Sequence, residues 1–291
     1  MVVHRSSLAL IAGAAALATA AVVASGAMAG GTGGCRVVAH PTPSRHTTCR
    51  NANLRRADFA GRDLRYADFT GSSLQRADFT GAHLDRARLP QANLTRAVLR
   101  GVQAPGARMT GVGLTYADLT GADLSGARLD GTVMFTRANL TDANLTGANL
   151  GSALLINATV TGADFTGARL TNVGGGGLTG QPAALPPGWR AVQGWLAGPT
   201  ANMWGASFTN ADLSGINLSG ANLIYAQIGG NSTLLGTPLT GSLQDGISWS
   251  WNFKANGGAG GPDGGTVICP DGSAAIPGYA NGLPGVGPVG C

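Results

Sequence analysis

An apolar residue, most often Leu or Phe, returns every fifth position along much of this 291-residue chain, usually with Ala two places before it. The runs Ala67-Asp68-Phe69-Thr70-Gly71 and Ala117-Asp118-Leu119-Thr120-Gly121 display the unit. A period of five suits neither regular element. On a helix these centres would scatter around the whole surface, and strict strand alternation would drift out of phase after one unit. Short extended pieces joined by turns remain, in keeping with the Asp-Leu-Thr-Gly and Asn-Leu-Thr-Gly tracts. A fixed short period indicates a solenoid, in which each unit buries its apolar face only by stacking on its neighbours. The centre and its Ala are expected to point inward and the other three positions outward. Only a narrow tube would demand Ala so regularly.

Three blocks carry the pattern. The first has centres from Leu54 to Met134, of which 14 of 17 are Leu or Phe. The next centre is Leu140, one residue late, so a bulge or tight turn is expected at Phe135–Arg137. The second block runs from Leu140 to Leu170, and the third from Met203 to Ile228, after which the pattern dissolves. Gly supplies 48 residues, many at a fixed repeat position, which argues for order rather than low complexity.

The A(D/N)LxG unit resembles the bacterial pentapeptide-repeat proteins over about 52–172 and 201–230. The resemblance implies an all-β fold, a right-handed quadrilateral β-helix with four units per coil. The thirty units would then build a rod roughly 35 Å long at ~4.8 Å per coil. The expected organisation is a signal peptide at 1–29, an N-terminal cap at 30–50 and a β-helix at 51–172. An insert at 173–200, further repeats at 201–240 and a Gly-rich tail at 241–291 follow. The insert and the Cys269-Pro270-Asp271-Gly272 tail resemble segments of secreted members of the same family. In the insert, Trp189 and Trp195 are expected to pack on the side of the rod, with sugar stacking as the alternative.

Residues 1–29 read as an export signal: His4 and Arg5, an apolar run from Leu8 to Ala24, then Ala27-Met28-Ala29 before a cleavage point. The rival reading, a retained anchor, has a run at the short edge for spanning a bilayer. Secretion or a cell-surface location after cleavage is therefore expected. An oxidising destination favours disulfides Cys35–Cys49 and Cys269–Cys291, one at each cap. Cys35, His40, His46 and Cys49 also form a possible zinc set. Their order is uncommon and export favours oxidation, so no metal site is assigned.

The sequence offers no enzymatic chemistry. No triad, phosphate loop, dinucleotide or metalloprotease motif occurs, His83 stands alone at an outward position, and no cofactor is implied. Most Asp residues occupy the repeat's own Asp position and are expected to serve turns or edges. The net charge is +5, and eleven Arg face five Asp between Arg50 and Arg108. At four units per coil, Arg56, Arg76 and Arg96 stack on one face, followed by Tyr116, and Arg88, Arg108 and Arg128 stack on another. Arg36, Arg137 and Arg169 read as scattered. The leading expectation is a secreted, non-catalytic structural or binding rod. The alternative is an extracellular binder of anionic polymer, such as a cell-wall polymer, through the Arg ladders. Another protein is a possible partner, and no small-molecule substrate is evident. The gyrase protection by DNA mimicry found in this family requires an acidic cytoplasmic rod, and both charge and export oppose it.

Overall fold

The computed structural model describes residues 35, 37–230, 232, 234 and 236–242, and the backbone of three strands further on. The expected signal peptide and the Cys269–Cys291 pair lie outside the described residues. A centre, its preceding Asp or Asn, and the Ala before that form one straight side of a coil. A turn at the two following residues makes the corner. Parallel bridges link each side to the one 20 residues on, as in Asn53↔Ser73, Ser73↔Asn93 and Asn93↔Gly113. Four sides therefore complete a coil. These are the Leu54, Phe59, Leu64 and Phe69 faces, after their first centres.

The unit's sequence follows from satisfying its five backbone N–H groups, none of which can be left orphaned beside the core. In the Phe79 unit, Ala77 N–H closes the turn onto Leu74 O, Asp78 N–H reaches back to Ala57 O, and Phe79 N–H reaches forward to Val98 O. Gly81 N–H also reaches forward, to Arg100 O. The remaining N–H, of Thr80, donates to Asp78 Oδ1 at 2.8 Å, and the Thr80 hydroxyl donates to the same oxygen at 2.6 Å. An Asp or Asn before the centre is likewise the side-chain acceptor that completes the turn in the units of Asp58, Asp68, Asn93, Asp118 and Asn144. Gly81 has φ 61°, the left-handed conformation that the corner imposes on its second residue.

Every described centre from Leu54 to Leu129 is buried, as are nearly all the paired Ala. Near the first coils Phe59 stacks on Phe79 at 4.9 Å between centroids, with Phe69 edge-on to both. Below them Cys49 occupies a centre position under Phe69, through Cys49 N–H to Asp68 O. Its sulfur is joined to that of Cys35, with Cα atoms 4.5 Å apart. His46 Nδ1 lies 3.1 Å from Pro43 O. With both sulfurs bonded to each other, His40 and His46 lack the thiolates that the alternative zinc set would need.

The register shift is not where the spacing placed it. The extra residue lies at Gly131–Thr132, both with positive φ, and Gly113 bridges Met134, 21 residues away. Phe135 is therefore the centre, 0% exposed, and Met134 faces outward at 45%. The five-residue count read Met134 as a centre because it is apolar, but Val133 fills the Ala-like position and carries Phe135 inward.

Bridges Leu154↔Gly174, Thr159↔Thr179 and Asp164↔Ala184 continue the coil past Leu170. The chain then leaves it through an antiparallel pair, β1 (Arg190–Val192) and β2 (Trp195–Ala197), and returns at Asn202, which bridges Gly174. The Gly174 to Gly177 run accommodates this excursion. A Cβ on Gly176 would lie 2.4 Å from the Trp195 ring, and one on Gly175 2.6 Å from Ile156 N. Trp189 and Trp195 are half-buried and pack against the core clusters, as expected of a side-packed insert. The parallel strands β3 (Ser207–Thr209), β4 (Gln227–Gly229) and β5 (Ser248–Trp249) extend the Phe59 face. Leu218 N–H to Pro238 O and Gly220 N–H to Thr240 O carry the coil beyond Ile228, where its sequence signature fades. Two further strands, β6 (Val267–Ile268) and β7 (Ala274–Ala275), pair antiparallel.

Candidate binding surfaces

The coil distributes charge unevenly among its faces. On the Phe59 face, Asp58, Asp78 and Asp118 hold the position before the centre. Burial pushes the Asp118 carboxyl up, but the Thr120 hydroxyl and amide and the Arg100 guanidinium outweigh it and hold it below its usual range. Arg100 Nε donates to Asp118 Oδ2 at 2.5 Å. Asp164, on the Leu64 face, is lowered by the hydroxyl and then the amide of Thr166. On the Leu64 face, Asp63 is lowered first by its hydrogen bond from Arg65, against a smaller opposing effect of burial. These Asp side chains are acceptors within turns, not members of an acid–base pair.

A folded-state pKa below that of the unfolded chain means the carboxylate contributes stability above the unfolded value, about 3.9. That contribution is lost as pH falls through the folded value. The coil should therefore lose stability progressively below about pH 4. Asp118→Asn, which keeps the turn acceptor, should flatten part of that acid dependence in denaturant titrations between pH 3 and 6. An unchanged pH profile would show that Asp118 is no more strongly held in the fold than in the unfolded chain.

The two Arg ladders differ in their surroundings. Arg88, Arg108 and Arg128 succeed one another on the Phe69 face through parallel bridges, continued by Asn149 and Arg169. Arg88 lies 3.8 Å from Asp68 and Arg128 3.5 Å from Asp130, so this column is partly neutralised. Asp68 is raised by burial but lowered overall by Thr70 and then by Arg50 and Arg88.

Arg56, Arg76 and Arg96 occupy the corner of the Leu54 face, with φ 60°, 61° and 60°. Among the described residues no ion pair holds any of the three. Their N–H groups bond Gln75, Thr95 and Thr115 carbonyls on the next coil, which stacks the corner in register. The equivalent corner of the Phe59 face carries Gly61, Gly81 and Gly101 at the same positive φ. Arg in that conformation costs roughly 1–2 kcal/mol relative to a relaxed backbone. Positive charge is thus concentrated where the backbone favours Gly.

The column continues through Tyr116 to Arg137, because the extra residue at 131–132 brings Arg137 over Tyr116. The Arg96 and Arg137 guanidinium carbons lie 5.3 and 5.5 Å from the Tyr116 ring centroid. Arg137 also donates to the Tyr116 hydroxyl. Two residues that read as scattered, Arg137 and Arg169, therefore belong to the two columns. Their membership depends on the extra residue at 131–132, which no local sequence signal marks. Arg36 lies outside the described residues.

His83 sits between Asp63 and Gln103 on the Leu64 face, one coil from each. Among the described residues no group of three or more His, Cys, Asp or Glu side chains could hold a metal ion. No helix among them is long and apolar enough to cross a membrane.

A family model described as pentapeptide repeats matches in 8 copies over residues 52–91, 92–131, 135–172 and 201–230. Its break between 131 and 135 coincides with the extra residue. Similar solved structures include HetL of the cyanobacterium Nostoc, a pentapeptide repeat protein involved in heterocyst differentiation regulation. It is 25% identical, covering 78% of this chain and 89% of its own, with a TM-score of 0.22. A thylakoid-lumen pentapeptide repeat protein of Arabidopsis thaliana is 33% identical over 40% of this chain and 66% of its own, at a TM-score of 0.20. QnrB1, a plasmid-mediated fluoroquinolone resistance protein, is 20% identical over 48% of this chain and 82% of its own, at 0.23. These superpositions are poor over whole chains, and family membership is carried by the repeat match. No curated protein sequence matches this one.

Proposed function

Because this chain belongs to the pentapeptide-repeat family, whose members are generally non-catalytic, we propose that it is an exported β-helical rod serving as a structural or binding element at the cell surface. The N-terminal sequence supports export, and a Cys35–Cys49 disulfide suits an oxidising compartment. The uncompensated Arg column of the Leu54 face carries the reading further: the rod binds an anionic polymer. Like charges ~4.8 Å apart repel by about 0.9 kcal/mol per pair in bulk water. A polyanion laid along the corner would relieve that repulsion and release its own counterions. The basic balance sets this rod apart from an acidic DNA mimic.

Retention on heparin, followed by binding titrations at several salt concentrations, tests the reading. R56Q/R76Q/R96Q should make the slope of log affinity against log salt shallower by roughly 2–3. The control R65Q/R86Q/R190Q removes the same charge from the Leu64 face and the β1–β2 excursion, and should leave the slope nearly unchanged. Equal effects of the two triples would reduce the column to net charge. Failure of the unmodified protein to bind even at low salt would leave a plain structural rod.

A further inference from the structure

We propose that the Leu54 face is a track for an acidic polysaccharide, whose charged groups meet the Arg column while its sugar rings rest on Trp204 and Tyr225. This rests on the polyanion reading and deepens it by naming the polymer's chemistry. The large hydrophobic side chains exposed among the described residues all fall on this one face or its corner. They are Tyr116 at 42%, Met134 at 45%, Ile156 at 39%, Trp204 at 58% and Tyr225 at 60%. The bridges Gly113↔Met134, Met134↔Leu154, Leu154↔Gly174, Gly174↔Asn202 and Asn202↔Asn222 align them. Scattered exposed apolar residues need no explanation, but five on one face of a four-sided rod form a strip, interrupted at the Gly174–Gly177 coil, where the Trp195 ring lies over Gly176. The strip lies along the same face as the Arg column, so a polymer long enough to pass over Trp195 on the Gly174 coil could engage both.

The end around Trp204 has a different chemistry from the Arg end. Trp204 and Tyr225 meet edge to face, with centroids 5.9 Å apart and planes at 90°, and both stay largely exposed. Beside them Asn222 Nδ2 donates to Asn202 Oδ1 at 3.2 Å, a ladder of neutral amides. Amides that hydrogen-bond hydroxyls, next to aromatic rings that accept an apolar ring face, suit a sugar. A single-stranded nucleic acid would also stack, but it carries a phosphate at every nucleotide and would need cations beside the rings. On this corner the nearest Arg, Arg137, is separated from the Trp204 coil by Asn157 and Gly177, roughly 14 Å at ~4.8 Å per coil. A sparsely charged glycan tolerates that gap.

The test compares hyaluronate (one carboxylate per two sugars), polyphosphate and an oligodeoxynucleotide as probes of the unmodified protein, W204A/Y225A and R56Q/R76Q/R96Q. W204A/Y225A should weaken hyaluronate binding about tenfold, the scale of a lost hot spot, and leave polyphosphate binding unchanged. The Arg triple should weaken both. Both aromatic side chains are exposed, so an unchanged melting temperature should accompany these effects. Unchanged hyaluronate binding by W204A/Y225A, with polyphosphate still lost by the Arg triple, would overturn the track yet leave the polyanion reading standing. An equal loss of oligodeoxynucleotide affinity in W204A/Y225A would overturn it in favour of a nucleic-acid strand. Protection of Trp204 from hydroxyl-radical oxidation in the free monomer, or dimerisation abolished by W204A/Y225A, would show the strip covered by this chain or a second copy and overturn it too. Absence of binding to any of the polyanions would sink both readings.

Discussion

Phe135→Ala is expected to destabilise the fold by about 3–5 kcal/mol, whereas Met134→Ala should change stability by less than about 0.5 kcal/mol. The two residues are adjacent and both apolar, and their opposite fates test the placement of the register shift. Phe135 fills a centre at 0% exposure, and its N–H bonds Leu154 O on the next coil. Truncating it opens a cavity that the stacked coils above and below cannot collapse to fill. Met134 projects from the opposite side of the same extended piece. Chemical denaturation of both variants measures the difference directly. A large loss from Met134→Ala with a small one from Phe135→Ala would return the extra residue to 135–137.

Leu119→Ala should cost about 2–5 kcal/mol and Ala122→Leu about 1–3 kcal/mol, for opposite physical reasons. Leu119 is a fully buried centre, so its loss leaves a void. Ala122 is equally buried at the inward position just after a corner, its N–H closing the turn onto Leu119 O. A larger side chain there must push against neighbouring coils 20 or 21 residues away in either direction, where the same small position is held by Ala143 and Val102. Thermal or urea unfolding resolves both effects. Near-zero losses in both would mean these positions face water, and the inward assignment of centre and Ala would fail.

Much of this architecture is legible in local sequence because the unit is nearly self-contained. Asp78 accepting from Thr80, Gly81 at positive φ and the turn bond from Ala77 to Leu74 all lie within a few residues. The five-residue period, the inward centres, the inward Ala and the turn role of Asp follow from that local accounting. The insert's composition also predicts Trp189 and Trp195 packed on the side of the rod, whereas the need for Gly at 176 beneath the excursion comes only from the Trp195 ring lying over it.

What local sequence determined is which side of the chain faces the core; what only the tertiary structure decided is which residues share a column. A column is set by the cumulative number of residues between coils, so each irregularity displaces everything after it. The single residue added at 131–132 turns Met134 outward, brings Phe135 inward and sets Arg137 over Tyr116. The excursion through β1 and β2 lengthens the Gly174 to Asn202 step, and so brings Trp204 and Tyr225 onto the face that begins with Arg56. Turn chemistry reaches only a few residues along the chain, and nothing in it records that count. The sum becomes physical only when coil hydrogen bonds close across 20 or more residues.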